Sequence, residues 1–180
     1  MDAALPLIRL PDALSDGVIL LDAHQVEDAE AHLEGEDDEM RLRFDAPRKA
    51  TLDEVRGAMA RWIEGRKAGG PMFAYALRRA PGVLMGGCEL RMLTAKAANV
   101  SYWLFPQFRG QGYAARALAL LCENAAGIAG LEQVEAHIAP DNLASRRLAE
   151  RCGFVETGTV EEEAWTGATS TMIRYVRRVI

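Results

Sequence analysis

The sequence predicts a single α/β domain over residues 1–180, with a mixed, mostly antiparallel central sheet of about six to seven strands flanked by about four helices. Three observations support this prediction. The composition of 49% hydrophobic and 26% charged residues is typical of a folded globular domain. Three strand-like segments follow one another over 71–105, which predicts an antiparallel meander. Beyond residue 106, helix-like and strand-like segments alternate, which predicts a β-α-β-α-β continuation.

The first part of the chain is predicted to contain one strand and two helices. The apolar run at 17–21 is typical of a short strand, and residues 24–39 predict a short helix that leads into an acidic loop. A second helix begins after Thr51, because Thr51 and Glu54 have the spacing of a capping box, and it ends at the glycine pair 69–70. Its apolar stripe, which we assign to the core, consists of Val55, Met59, Trp62 and Ile63.

The remaining elements follow from alternation, periodicity and punctuation. Strands are predicted at 71–79, 83–93, 99–105, 133–139, 154–160 and 169–179, and helices at 112–126 and 141–153. Pro106 ends the third strand of the meander, because proline cannot donate to the ladder. The last helix has Asp141 or Asn142 at its N-cap and Gly153 after its C-terminus.

The segment FPQFRGQGYAAR at 105–116 places two glycines between a strand and a helix. Gly110 and Gly112 allow a tight turn whose N–H groups point inward, and the following helix adds the positive end of its dipole. Arg109 adds a cation next to them. The loop therefore predicts a site for a phosphate or pyrophosphate, although a tight turn without a ligand would need the same glycines.

A dinucleotide site is the alternative for this loop. Gly110-x-Gly112-x-x-Ala115 fits the dinucleotide fingerprint, with Glu132 or Glu135 about 20 residues further on. In that fold the fingerprint normally stands near the start of an alternating array, whereas here three meander strands precede it. The order of elements therefore disfavours a nicotinamide oxidoreductase.

Two motifs together resemble the GNAT superfamily of N-acetyltransferases. Gln107-x-x-Gly110-x-Gly112-Tyr113-Ala114 is similar to its acyl-CoA pyrophosphate loop, and the segment 142–154, with its terminal Cys-Gly-Phe, is similar to its later helix. The resemblance extends over about 7–178 and is strongest over 99–158. Within the superfamily, the tetrapeptide 101–104 is similar to the ribosomal-protein-alanine acetyltransferase branch.

The resemblance implies a fold with splayed central strands and a set of acetyl-CoA contacts. The pyrophosphate would bind the backbone amides of Arg109, Gly110, Gln111, Gly112, Tyr113 and Ala114. The pantetheine arm would pair with the strand segment Trp103, Leu104 and Phe105. Asn142 would contact the pantetheine or its surroundings, and the Ser145 hydroxyl would hydrogen-bond the sulfur.

The implied reaction is direct attack of a primary amine, from a small molecule or a protein N-terminus, on acetyl-CoA or another short acyl-CoA in a ternary complex. An amine is mostly protonated at pH 7, so a base must take its proton. Glu89 on the third predicted strand from the N-terminus is our first candidate, and the late acids Glu161, Glu162 and Glu163 are alternatives. No tyrosine stands after Gly153-Phe154 at the position where some members place their acid, and because no base is obvious either, a CoA-binding sensor without catalysis remains an alternative function.

The composition limits the kinds of partner that we expect the protein to bind. The net charge of −5 disfavours nucleic acid. The acids at 36–39 form either an ordinary solvated loop or an acidic rim that would attract a cationic amine, such as a polyamine, an aminoglycoside or a basic N-terminus. The three cysteines, Cys88, Cys122 and Cys152, are expected to be reduced thiols, and their spacing matches no metal site, so we expect no metal.

The first 16 residues do not resemble a secretion signal and no run is long enough to span a membrane, so we expect a cytoplasmic protein. The family also implies that the late strands would suit a homodimer.

Overall fold

The computed structural model describes residues 8–44, 46–79, 82–163 and 167–179, which form one sheet with helices on both faces. The strands are β1 Ala13–Ser15, β2 Ile19–Asp22, β3 Met72–Arg79, β4 Val83–Met92, β5 Ala97–Leu104, β6 Gln133–Ile138, β7 Val155–Glu163 and β8 Thr169–Arg178. The helices are α1 Asp28–Gly35, α2 Asp38–Arg43, α3 Leu52–Lys67, α4 Tyr113–Ala125 and α5 Leu143–Arg151, with a 3-10 turn at Pro106–Phe108. Among these residues no helix is both long and apolar enough to cross a membrane.

The sheet is mixed and opens in its middle. Its order is β1-β2-β3-β4-β5-β6-β8-β7, and the neighbouring strands are antiparallel except β5 and β6, which are parallel. These two strands pair only where Ala97–Asn99 meets Gln133–Glu135. Beyond Asn99, β5 continues to Leu104 without β6 as a partner, so its C-terminal half borders a gap. This splay confirms the predicted fold class.

The structure adds two short elements that the sequence did not predict, which brings the totals among the described residues to eight strands and five α-helices. Strand β1 has three residues, too few to show alternation, and it pairs with β2 across a turn in which Asp16 Oδ1 accepts two backbone N–H groups. Helix α2 replaces the predicted acidic loop. Asp37 is its N-cap and accepts a hydrogen bond from the Met40 N–H at 2.9 Å, and acids suit a helix N-terminus.

Alternate residues of the strands supply two separate apolar layers. On β3, Tyr75 and Leu77 pack into the main core with α4, while Ala76 between them belongs to a smaller cluster with Trp103 and Phe105. That smaller layer continues under α1 and α3, where Val55 and Met59 are buried. Both faces of the central strands are therefore covered, which explains their nearly continuous apolar sequences.

A buried ion pair attaches α1 to the sheet. The Arg78 guanidinium on β3 donates to both carboxylate oxygens of Asp28 at 2.8 and 2.7 Å and to Asp22 at 2.8 Å. Arg78 and Asp28 are only 7% and 9% exposed. Burial is the largest single influence on the pKa of Asp28 and raises it, but the hydrogen bonds and charge of Arg78, together with the Gln25 N–H that donates to the same carboxylate, bring the pKa below its usual value. This pair fixes the start of α1 over the end of β3.

Candidate active site

The glycine loop turns directly into α4. Gly110 and Gly112 have φ angles of 73° and 83°, left-handed values that favour glycine, and Gly112 is the N-cap of α4. A Cβ atom added to either glycine would meet no described atom within 4 Å. The glycines are therefore needed for backbone conformation, and space for a ligand remains beside them. No described side chain caps this helix end, so its first N–H groups are available to an anion.

A groove of ≈ 480 Å³, here called the loop groove, runs from this loop to α5. The expected contact residues that line it are Trp103, Leu104, Arg109, Gly110, Gly112, Ala114, Asn142 and Ser145. The other three do not line it, although Gln111 and Tyr113 are next to lining residues in the chain. Phe105 is buried and its N–H bonds to Met85, the Tyr113 side chain packs on the main core, and Gln111 bonds to the Gln107 carbonyl.

Arg109 contacts acidic side chains. Its guanidinium donates to both carboxylate oxygens of Asp37 at 2.7 and 2.9 Å, to Glu39 at 2.9 Å and to the Leu104 carbonyl at 3.0 Å. Its backbone N–H bonds to Pro106 at 3.2 Å within the 3-10 turn. The bonds from Arg109 hold the pKa of Asp37 below its usual value. A phosphate would have to replace these partners, so Arg109 is better placed to join the loop to α2.

A pair of hydroxyl groups lies in the loop groove. Asn142 caps α5 by accepting the Ser145 N–H at 3.1 Å, and the Ser145 Oγ lies 2.7 Å from the hydroxyl oxygen of Tyr102 on β5. Burial raises the pKa of Tyr102 to about 12, so its hydroxyl is protonated at neutral pH. Sequence reasoning missed Tyr102, because no local pattern shows that a strand residue meets a helix 43 residues later.

A second cavity of ≈ 450 Å³, here called the aromatic pocket, lies on the α1 and α3 side of β5. Trp62 and Trp103 face it with ring centroids 5.9 Å apart, and Phe44 meets Trp103 edge-on at 5.8 Å. Burial lowers the pKa of His32 in this wall, so its ring is neutral at pH 7. Trp62, which the sequence assigned to the core alone, is therefore both a core residue and a pocket wall.

Two carboxylates line this aromatic pocket. Glu89 on β4 stands opposite Ser101 on β5, and both residues face the cavity. Glu36 lies at the C-terminal end of α1. Burial raises the pKa of both glutamates. A carboxylate in such surroundings accepts a proton more readily than one in water.

The glycine pair 86–87 on β4 brings the Trp103 ring into position. A Cβ atom on Gly87 would lie 2.2 Å from the Trp103 indole, and one on Gly86 would lie 2.1 Å from the Trp103 carbonyl oxygen. Neither position leaves room for a side chain. The dipeptide Gly-Gly inside an otherwise good strand is the sequence signal that would have revealed this close approach.

The three acids that were alternatives to Glu89 as the base lie on a strand of the sheet that is far from the aromatic pocket. Glu161, Glu162 and Glu163 are on β7, the outermost strand, with β8 and β6 between it and β5. Glu162 bonds to His137 Nδ1 at 2.5 Å, and the Nε2 of the same ring lies 3.0 Å from Glu135. His137 thus belongs to a polar cluster with these two glutamates.

Comparison with known proteins identifies the family to which this architecture belongs. A family model described as an acetyltransferase (GNAT) domain matches residues 19–155. The chain belongs to the GNAT acetyltransferase family. The general reaction of this family is acyl transfer from acetyl-CoA to an amine. Among curated proteins, the uncharacterized N-acetyltransferase YycN of Bacillus subtilis (strain 168) is 39% identical over 59 residues, a match that covers 33% of this chain and only 37% of that protein.

Solved structures of GNAT proteins share the fold. A GNAT acetyltransferase from Bacillus anthracis has a TM-score of 0.77 at 15% identity and covers 93% of this chain and 98% of its own. The microcin C7 self-immunity acetyltransferase MccE, solved with acetyl-CoA and AMP, has a TM-score of 0.76 at 17% identity, and the match covers 91% of this chain and 93% of MccE. Mycobacterium smegmatis RimJ, solved with CoA-disulfide, has a TM-score of 0.74 at 21% identity, and the match covers 95% of this chain and 85% of RimJ. At these identities the likeness shows the fold alone.

Proposed function

We propose that this GNAT protein transfers an acetyl group from acetyl-CoA to a primary amine through a ternary complex. The observation that supports this best is that the loop groove and the aromatic pocket share a wall made of Met40, Phe44 and Trp103. A donor in one cavity and an acceptor in the other would meet beside Trp103, at the open half of β5. Holding two reactants together in this way supplies much of the rate acceleration.

The residues of the loop groove fit a CoA donor. The free N–H groups at the start of α4 suit a pyrophosphate, and the half of β5 from Val100 to Leu104 has no β6 partner, which leaves main-chain groups for the pantetheine amides. Asn142, occupied as an N-cap, would contribute through the position of α5. Acetyl-CoA when bound supplies the activated thioester that the amine attacks.

Glu89 is the base in this proposal. It takes a proton from the ammonium group of the acceptor, directly or through water, so that the nitrogen lone pair becomes available. The N–C bond then forms at the acetyl carbonyl carbon, the nitrogen loses its second proton to solvent, the C–S bond breaks, and the sulfur leaves as a thiolate. Position supports this role, since Glu89 lines the aromatic pocket while the three late glutamates lie on β7.

Ser145 and Tyr102 supply the returning proton. The Ser145 hydroxyl donates to the thiolate, and the Tyr102 hydroxyl, 2.7 Å away, passes its own proton to the Ser145 oxygen. Solvent then restores Tyr102. The raised pKa of Tyr102 keeps its hydroxyl protonated throughout the neutral range, so a proton is present there when the thiolate forms.

The acceptor cannot be taken from the structural neighbours. Besides RimJ they include RimL, a ribosomal L7/L12 alpha-N-protein acetyltransferase, and a spermidine N-acetyltransferase chimera, each 20–21% identical to this chain. Proteins with protein and polyamine acceptors thus share the fold about equally. The branch suggested by the tetrapeptide 101–104 stays a prediction.

The proposal is tested by binding and turnover. Titration calorimetry should show acetyl-CoA binding and no NAD binding, and free-thiol release should follow the addition of an amine. If acetyl-CoA binds but no amine in a broad panel releases thiol, the protein is a sensor and the catalytic proposal is wrong. If NAD binds and acetyl-CoA does not, the dinucleotide alternative replaces it.

Substitution of Gly112 by valine should weaken acetyl-CoA binding about tenfold or more, because a β-branched residue at a φ of 83° is strained by about 1–3 kcal/mol and would turn the loop amides. Calorimetry measures the change in Kd. Gly17→Val is a matched control, since Gly17 has a φ of 84°, equally open space and a place in the β1–β2 turn. Equal losses of affinity in both variants would show that only general strain matters.

Tyr102→Phe should lower kcat about 5- to 10-fold, the worth of one hydrogen bond, and leave the KM for acetyl-CoA nearly unchanged. The double variant with Ser145→Ala should lose no more than Ser145→Ala alone, because the two hydroxyls act as one unit. A merely structural Tyr102 would instead give additive losses and an unchanged solvent isotope effect on kcat.

A further inference from the structure

The acids at 36–39 look from the sequence like a rim for a polycation, but the structure neutralises most of them. Asp37 and Glu39 pair with Arg109, and Asp38 pairs with Arg41. Of the four, Glu36 lines the aromatic pocket; Arg41 Nε lies 4.0 Å from its carboxylate, and the charge of Lys49 also acts on it without a described ion pair between them. The rim therefore has little free charge with which to hold a chain of ammonium groups.

The two arginines in the pocket wall are also paired. Arg41 pairs with Asp38, and Arg48 donates to both oxygens of Glu54 at 2.6 and 2.9 Å. Because His32 is neutral as well, the described wall repels a single ammonium group only weakly. What remains in the aromatic pocket is two carboxylates, Glu36 and Glu89, set in a wall of rings and methionine.

On the basis of the function proposed above, we infer that the acceptor is a monoamine with an aromatic body, an arylalkylamine. Its ammonium group lies at Glu36 and Glu89, and its ring lies against the indoles of Trp62 and Trp103. Such a molecule matches both the carboxylates and the aromatic rings of the wall. A cation near tryptophan faces also gains cation–π energy, and a buried aromatic ring gains from the apolar area it covers.

The size and the polarity of the cavity both favour this class. A volume of ≈ 450 Å³ is within the range of about 300–1,000 Å³ found for small-molecule sites. A polyamine or aminoglycoside would carry further ammonium groups into the apolar part of the wall. Each would lose its hydration there without a described carboxylate to replace it, which is costly.

The inference is tested with acceptors matched in amine chemistry. We expect kcat/KM for tryptamine and 2-phenylethylamine to exceed that for spermidine and putrescine by about tenfold or more, since one buried aromatic ring contributes well over 1.4 kcal/mol. Acetyl-CoA binding is measured on the same preparation. Turnover that favours spermidine would overturn the arylalkylamine inference and leave the acetyltransferase proposal standing, whereas no acetyl-CoA binding would overturn both.

Two pairs of variants connect the preference to the pocket. Trp62→Leu should raise the KM for tryptamine several-fold more than that for a short alkylamine, and Trp62→Phe should restore most of the loss. Glu36→Gln should raise the KM of every amine, while Glu34→Gln, at an exposed position of the same helix, should not. Equal effects of Trp62→Leu on aromatic and alkyl acceptors would contradict the assignment of the ring site. Acetyl-CoA affinity reports whether each variant is folded.

Discussion

Glu89→Gln is expected to lower kcat/KM for the amine by about 10²–10⁴-fold, the usual contribution of a general base. The amide fills the same space in the aromatic pocket but cannot accept the ammonium proton. Because burial raises the pKa of Glu89, activity in the unaltered protein should fall on acidification at a pH above that of an ordinary glutamate. The pH profile of Glu89→Gln should lack this acidic limb. It should retain only the pH dependence that comes from deprotonation of the amine acceptor.

Steady-state thiol release from pH 5 to 9 measures both effects. Glu34→Gln, exposed on α1, is the charge-matched control and should behave as the unaltered protein does. Acetyl-CoA affinity of Glu89→Gln should be unchanged, since Glu89 does not line the loop groove. A variant that keeps its rate within about twofold would remove Glu89 from the mechanism.

Arg78→Ala is expected to lower the free energy of unfolding by about 3–5 kcal/mol, because it leaves the Asp28 carboxylate buried without its partner. Urea denaturation measures the change. Arg79→Ala, at the neighbouring exposed position, should stay within about 0.5 kcal/mol. If Arg78→Ala lowers the free energy of unfolding by no more than about 0.5 kcal/mol, the ion pair does not hold α1 in place.

The same pair predicts a dependence on pH. The pKa of Asp28 is lowered in the folded state, so its contribution is present above the unfolded value of about 3.9 and is lost as pH falls through the folded pKa. In Arg78→Ala the cation is gone and the Gln25 N–H is left against the larger effect of burial, so the pKa of Asp28 should rise above the unfolded value. Its ionised form then opposes folding at neutral pH, and the variant should be relatively less impaired in acid.

Local signals were sufficient for most of the fold. Capping residues, alternation and glycine punctuation predicted the long elements, and two separated motifs predicted the family. They failed for β1, which is too short to show a period, and for α2, whose acids look like a loop until Asp37 is seen to cap it.

The candidate site was predictable where it depends on backbone conformation and not where it depends on distant contacts. The glycines of the loop could be recognised because their function is local. The Tyr102–Ser145 contact, the aromatic walls on β5 and α3, and the pairing of Arg109 with Asp37 join residues 41 or more positions apart. No spacing rule in a single sequence reports such contacts.

The ion pair between Arg109 and Asp37 limits how this protein can change its specificity. Asp37 starts α2, and α2 supplies Met40 to both cavities, while Arg109 belongs to the loop that lines the groove proposed for the donor. A substitution in α2 that reshapes the acceptor side therefore also disturbs the segment that holds the loop. Laboratory evolution toward a new amine should meet a trade-off here, and compensating changes should accumulate near Arg109 at positions that touch no acceptor.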